Sequence, residues 1–236
     1  MLNLLVQSQK INSSKKTKKD SLLTEFSARS ANDSKNQHLW EIGAAQFIPN
    51  LNELLQFNGY NINNEIEEID DYYDESSEIL ADLFNKYGSD KAGKHDYYKF
   101  YYYILEKLGI NNELDILEIG LGTNDPNLVS TMGIKGKPGA SIRSFRDFCK
   151  NSNCFGADID KKILFEEDRI ETFYVDQLDS FSFNNIKKSK NKSNGFDLII
   201  DDGLHSIGAN FNTLLFGLKN INDNGWIVIE DIYNIS

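Results

Sequence analysis

Phe196-Asp197-Leu198-Ile199-Ile200-Asp201-Asp202-Gly203-Leu204-His205 is the stretch from which the fold of this chain is read. Its first five residues form an apolar run of the kind carried by a strand buried on both faces, as in parallel sheets. The run leads directly into two carboxylates and an imidazole. In an open α/β sheet, ligands bind outside the carboxyl ends of the strands. The pattern recurs downstream, where Trp226-Ile227-Val228-Ile229 leads into Glu230-Asp231. Two neighbouring strands that both end in acids can hold a hard divalent cation through oxygen ligands. A histidine beside them can take a proton from a hydroxyl that the cation polarises.

Working outward, strands and helices alternate. Strands are expected at 115–120, 154–159, 170–175, 196–201 and 226–230. A glycine-rich loop and a helix at 141–149 separate the first two. Ile207, Phe211, Leu214, Leu215 and Leu218 recur at helical spacing after the fourth. Asn224-Gly225 reads as the turn into the fifth. Such alternation implies an α/β fold, a doubly wound and mostly parallel sheet. Upstream, Ile79, Leu80, Leu83 and Phe84 mark one helix, capped by Asp74 or Ser76 and stopped by Gly88. A second helix is expected at 96–108, ending at Gly109.

Residues 1–75 read as a helical N-terminal extension, partly disordered, and residues 76–236 as the α/β domain. Within the extension, residues 1–37 are rich in Ser, Lys and Asn, with weak helix near 22–26, and predict mostly disorder. Leu51, Leu54 and Leu55 fit a short helix after Pro49, and 61–77 reads as an acidic linker. A sheet that ends after its fifth strand has an open edge. The expectation is a truncated chain without its last strands, or an edge covered by another segment or by a subunit of a homo-oligomer.

The 236 residues carry a net charge of −11. A negative field opposes phosphate backbones, so no nucleic-acid partner is expected. The cluster Lys15-Lys16-Thr17-Lys18-Lys19 is local and reads as a solvated tail. Cys149 and Cys154 fit no zinc spacing and suit a reducing, cytoplasmic setting, most simply as core residues. No apolar run approaches the ~20 residues of a membrane span. The short apolar start precedes its basic residues, the reverse of a secretory signal.

Leu117-Glu118-Ile119-Gly120-Leu121-Gly122-Thr123 joins the first strand to its loop. The glycines let the backbone approach a ligand closely. A dinucleotide fingerprint needs a third glycine where Asp125 stands. Glu118 suits a cationic ligand better than a pyrophosphate. Asp158, at the end of the second strand, can accept both hydroxyls of a ribose. A ribose joined to a positively charged group points to S-adenosylmethionine.

Leu117–Gly122, Gly156-Ala157-Asp158-Ile159 and Val175-Asp176-Gln177 resemble successive motifs of class I S-adenosylmethionine-dependent methyltransferases, a Rossmann-like fold. Tyr87-Gly88-Ser89-Asp90-Lys91, His95, Tyr97, Tyr101, Asp201–His205 and Ile229-Glu230-Asp231 narrow the resemblance. They look like the metal-dependent sugar O-methyltransferases of macrolide biosynthesis, the mycinamicin type, and related bacterial glycan methyltransferases. The resemblance covers about residues 78–233. It implies Asp202, Glu230 and Asp231 as magnesium ligands and His205 as general base. It places Glu118, Gly120 and Gly122 around the methionine part of the cofactor, Asp158 at its ribose, and Asp176 and Gln177 beside its adenine. Ser141 and Arg143 match a cofactor-contacting stretch, and Leu204 replaces a residue that is usually small. The implied reaction is methyl transfer to a hydroxyl of a sugar or glycoside, with a small molecule or glycan as acceptor.

Other readings of the same residues stay open. Asp201 and Asp202 could cap the following helix, Asp201 being the more structural of the two. His205, three residues after Asp202, is expected on the first turn of that helix, facing the same way. A surface histidine there is the alternative reading. His95 fits a substrate contact or a structural hydrogen bond. The tyrosines of 97–103 fit helical packing, with one or two facing the cofactor. A non-methylating enzyme of the cephalosporin-hydroxylase kind, and a non-catalytic binding module or fragment, are the competing functional classes.

Overall fold

The computed structural model describes residues 3–6, 75–93, 96–187 and 195–231. The expected helices near 22–26 and 51–57, the basic cluster, most of the acidic linker, Asp74 and His95 lie outside the described residues.

The five apolar runs form strands. They are β2 (Asp115–Ile119), β3 (Asn153–Asp158), β5 (Ile170–Tyr174), β6 (Phe196–Asp201) and β7 (Ile221–Ile229). A two-residue strand, β4 (Glu166–Glu167), pairs antiparallel with β5. With β1 (Asn3–Val6) at one edge, the remaining pairings are parallel, in the order β1-β7-β6-β2-β3-β5-β4. The result is a doubly wound, mostly parallel sheet with Rossmann-like architecture.

Patterning within residues 1–37 predicts no strand, yet Asn3–Val6 forms β1, with Asn3 opposite Trp226 and Val6 opposite Ile229. The outer edge of β7 presents unpaired backbone donors and acceptors, and a short Leu-Leu-Val run satisfies them. The edge that the sequence leaves open after β7 is therefore lined by the chain's own first residues.

The strand β7 begins earlier than expected. A two-residue step on β6, Phe196 to Leu198, faces a five-residue step on β7, Ile221 to Trp226. The expected turn at Asn224-Gly225 is a bulge within the strand. Asn224 takes a left-handed φ of 65°, which asparagine tolerates better than most residues. Asn222 donates to the Asp197 carboxylate across the bulge at 2.8 Å.

Helices cover both faces. On one face lie α1 (Glu75–Tyr87), α2 (Asp90–Gly93), α3 (Tyr97–Leu108) and α4 (Ala140–Phe148). Ser76 lies inside α1 and does not cap it. Gly88, at φ 84°, closes that helix as expected, its N–H donating to the Phe84 carbonyl at 2.9 Å. Phe84, Tyr101 and Phe145 meet edge to face, at 5.4 and 5.1 Å between ring centroids, and lock α1 and α3 onto α4. They share an apolar layer with Ile116, Leu198, Ile200 and Val228. On the other face, α5 (Asn184–Lys187) and α6 (Ile207–Asn220) cover Leu117, Ile119, Ile199, Ile227 and Ile229. Ser206 caps α6 by accepting from the Ala209 N–H.

Cys149 and Cys154 are unpaired and buried in the first layer. Burial pushes the Cys149 thiol up to about 12, and Cys154 moves in the same direction for the same reason. The thiolate is the reactive form. The folded protein should therefore resist iodoacetamide at pH 8, while protein unfolded in guanidinium should gain two adducts by mass. Rapid labelling of the native protein would contradict this packing.

Candidate active site

The order of the strands reverses between β2 and β6. From β2 the chain winds outward through β3 and β5, and from β6 it winds the opposite way through β7. Diverging connections leave a crevice at the carboxyl ends of this central pair. Pairing sets Ile119 opposite Asp201, and Asp201 opposite Ile229. Side chains alternate with a period of two. Counted from Ile116, Ile200 and Val228, the residues Glu118, Asp202 and Glu230 fall on one side, the side covered by α2 and α3.

The loop between β2 and α4 folds back over this crevice. Gly139 N–H donates to the Leu121 carbonyl and Met132 N–H to the Thr123 carbonyl, at 2.8 and 2.9 Å. The return brings the first turn of α4 to the end of β2. There the Ser141 hydroxyl lies 2.6 Å from both oxygens of Glu118. Gly120 has φ 98°, and a Cβ on it would lie 2.1 Å from the Asp202 carbonyl oxygen. No side chain fits there, so the glycine loop and the acidic loop touch backbone to backbone. Gly122 has φ 80°, and Met132 covers it.

Lys91 stands at the centre. Its ammonium is 2.5 Å from Asp202 Oδ2, 2.6 Å from Glu230 Oε1 and 3.9 Å from Glu118 Oε1. Lys91 is 2% exposed, and Glu118 and Glu230 are 0% and 2% exposed. Burial alone would lower the Lys91 pKa, but Asp202, Glu230 and Glu118 together hold it well above the usual lysine value. One ammonium cannot neutralise three carboxylates. Burial pushes Glu230 up to about 8, and the Asp202 charge adds to this against the pull of Lys91. Burial likewise raises Glu118 to about 7, with Lys91 opposing and Asp202 reinforcing. Tyr101 donates its hydroxyl to Glu230 Oε1, and burial followed by that neighbouring charge keeps the phenol protonated. Tyr97 donates to Asp231 Oδ1 at 2.8 Å.

The residues singled out in the sequence come together unequally. Asp202, Asp231 and His205 meet, with His205 Nε2 at 3.7 Å from Asp202 Oδ1 and 3.8 Å from Asp231 Oδ2. Its Nδ1 is buried with no hydrogen-bond partner among the described residues. His205 does not stand on the first turn of a helix, as its spacing predicts. Helix α6 starts at Ile207, and His205 precedes the Ser206 cap with a left-handed φ of 51°. A tight turn, not a helical face, brings it to Asp202. Asp201 is structural, its oxygens accepting from Gln177 at 2.7 Å and Asn210 at 3.0 Å, and burial raises its pKa.

Gln177 is a bridge. Its amide donates to Asp201 and Thr213 and accepts from the Leu204 N–H at 2.7 Å. Asp176 Oδ1 accepts from the Leu178 N–H at 2.9 Å and shapes the turn after β5. Asp158 accepts from the Leu121 N–H at 2.9 Å and the Asp160 N–H at 2.8 Å, so it holds the glycine loop itself. Burial raises its pKa against those donors. Arg143 is engaged with Glu167 at 2.7 Å and lies over the Phe165 ring.

Sequence reasoning names Lys91, Tyr97 and Tyr101 only as parts of a motif. Their grip on the acids follows from the helices α2 and α3 lying over the β2, β6 and β7 ends. The signal available in the sequence was the Gly-Ser-Asp-Lys run itself, a lysine beside a helix-stopping glycine.

The cluster is short of positive charge and has a glycine cradle beside it, which suits a cationic cofactor. Asp202 Oδ1 and Asp231 Oδ2 face a common point near His205. Glu230 is committed to Lys91 and Tyr101, and among the described residues no three His, Cys, Asp or Glu side chains are arranged as metal ligands.

Known proteins similar to this chain are found in both sequence and structure. No family model matches the chain. The chain is 28% identical over 156 residues to the 8-demethyl-8-alpha-L-rhamnosyl tetracenomycin-C 2'-O-methyltransferase of Streptomyces olivaceus. It is 29% identical over 157 residues to the mycinamicin VI 2''-O-methyltransferase of Micromonospora griseorubida. These matches cover 65% of this chain and 37% and 36% of those proteins. The chain thus spans little more than a third of the length of these curated relatives. Among solved structures it is similar to the MycE methyltransferase of the mycinamycin biosynthetic pathway in complex with Mg and SAH. There the TM-score is 0.54 and the identity 27%, over 64% of this chain and 39% of that one. The same enzyme with Mg, SAH and mycinamycin VI gives a TM-score of 0.53 and 26% identity, over 64% of this chain and 36% of that one. The resemblance to macrolide sugar O-methyltransferases therefore stands in both sequence and structure.

Gln177 offers a direct check on the bridge. Gln177→Ala leaves Asp201 and the Leu204 N–H short of a partner, which should cost about 1–3 kcal/mol in urea unfolding. Cofactor affinity, measured on the same variant, should change less than stability. Unchanged stability with a sharp loss of affinity would instead make Gln177 a contact to the adenine.

Proposed function

We propose that this chain carries the catalytic core of an S-adenosylmethionine- and magnesium-dependent O-methyltransferase acting on a sugar hydroxyl of a glycosylated small molecule. One observation carries the reading. The glycine loop after β2 and the acid–histidine cluster after β6 touch at Gly120 and Asp202. Methyl transfer needs donor and acceptor sites in such contact, because alignment of two substrates supplies much of the rate. The relatives' names and the Mg and SAH bound to MycE support the same reading.

Glu118, Gly120, Gly122 and Ser141 would line the methionine part of the cofactor, which supplies the sulfonium methyl. Asp158, through its hold on the Leu121 N–H, sets the loop beside the ribose, and Asp176 borders the adenine. Gln177 positions the acidic loop from behind. Asp202, Glu230 and Asp231 would hold the divalent cation, which supplies Lewis-acid charge to the acceptor oxygen when bound. His205 faces Asp202 and Asp231 and takes the acceptor's hydroxyl proton. The oxygen then bonds to the methyl carbon as the carbon–sulfur bond breaks, leaving a neutral thioether. The two nearby carboxylates stabilise the imidazolium that results.

No helix among the described residues is long and apolar enough to cross a membrane. A cytoplasmic setting is part of the proposal, supported by two unpaired cysteines. So is an acceptor of the sugar-bearing kind seen with MycE.

Calorimetric titration with S-adenosylmethionine, followed by transfer of a labelled methyl group to a glycosylated macrolide, tests the reading. Binding with magnesium-stimulated transfer is expected. Absence of cofactor binding by folded protein would overturn it. His205→Ala should lower turnover by about 10²–10⁴-fold, the typical contribution of a general base, with cofactor affinity nearly intact. Near-normal turnover in that variant would assign the proton to another group.

A further inference from the structure

We propose that Lys91 is an exchangeable internal counter-ion, whose ammonium stands in the place of the divalent cation between Asp202 and Glu230 and withdraws when that cation binds. The inference rests on the cation site proposed above.

Four observations carry it. Lys91 is a charged side chain at 2% exposure, which burial disfavours unless acids surround it. Its two closest partners, at 2.5 and 2.6 Å, are two of the three acids assigned to the cation. The third, Asp231, is hydrogen-bonded to Tyr97 at 2.8 Å and faces His205, and among the described residues no three acids are arranged as metal ligands. Finally, Lys91 sits on a four-residue helix, directly after the Gly88 turn.

Mutual exclusion follows from distance and charge. Magnesium binds carboxylate oxygens at about 2.0–2.1 Å, closer than the ammonium lies. Both cations cannot converge on Asp202 Oδ2 and Glu230 Oε1 without strong repulsion. Lysine suits such an exchange, because it is a compact charge on a flexible four-carbon stem. The head can swing away while α2 keeps its backbone. In the absence of metal the ammonium offsets the mutual repulsion of Glu118, Asp202 and Glu230. With metal present, the lysine is released towards the crevice.

The test uses Mn²⁺ as probe, titrated near pH 8 into the wild-type chain and Lys91→Met, and read by electron paramagnetic resonance. Removal of one competing unit charge should tighten Mn²⁺ binding by about tenfold or more. Equal or weaker binding in the folded variant would overturn the exchange and leave the cation site standing. Absence of Mn²⁺ binding by either form would remove the cation site, and the exchange with it. Should Lys91→Met fail to fold, the wild-type chain still decides. Acylation of Lys91, followed by peptide mass spectrometry, should be slow without Mn²⁺ and several-fold faster at saturating Mn²⁺. An unchanged rate under bound Mn²⁺ would overturn the proposal.

Discussion

Parallel pairing of β2 with β6, at the point where the strand order reverses, constrains the rest of the site. It sets Ile119 opposite Asp201, and the next pairing sets Asp201 opposite Ile229. Three strand ends are thereby brought level. The two-residue alternation of each strand then sends Glu118, Asp202 and Glu230 to the same side. A one-residue slip of either pairing would send an acid into the opposite apolar layer. Buried apolar rows on both faces prevent such a slip, so the core that stabilises the sheet also aligns its acids.

Electrostatics completes what register begins. Three carboxylates gathered together repel one another, and the two buried ones, Glu118 and Glu230, also lose their hydration. Lys91 and Tyr101 answer part of that cost, and Ser141 answers part of it at Glu118. The remaining surplus shows in the raised pKa values of Glu118 and Glu230. A site held in this condition favours any cation that can enter. Both the sulfonium of the proposed cofactor and a divalent metal meet that description. Lys91 offsets part of that surplus through its contacts with Asp202 and Glu230.

Behind the acids lies a second arrangement that has no free charge to offer. Gln177, Asp201, Asn210 and Thr213 hydrogen-bond to one another and to the Leu204 N–H. Asp158 does the same for the glycine loop. These groups fix where the reactive side chains stand. His205 tolerates a left-handed backbone in this setting. Strain of that kind costs of order 1–3 kcal/mol and persists only where its surroundings over-determine it.

Much of this was legible from residue order alone. Apolar runs separated by helical patterns determined a parallel α/β sheet, because strands buried on both faces need little else to declare themselves. Acids placed directly after those runs had to lie at strand ends, so Asp202, Glu230 and Asp231 were visible as a group. Asn3–Val6 was not visible as a strand, because a four-residue run becomes one only when a free edge is offered to it. The turn at His205 was read as helix, since spacing of three suits both, and only the Ser206 cap decides where α6 begins. Gln177 carried no sign of its commitment to Asp201, nor Asp158 of its hold on the Leu121 N–H, because those partners are 24 and 37 residues away in sequence. Lys91 shows the division most clearly. Its sequence neighbours say only that a lysine follows a helix-ending glycine. That it stands among three carboxylates, two of them buried, was decided by helices α2 and α3 closing over the sheet, a contact spanning 139 residues in the case of Glu230. Local pattern determines which segments are strands and where their ends carry charge; only packing determines which distant cation those charges meet.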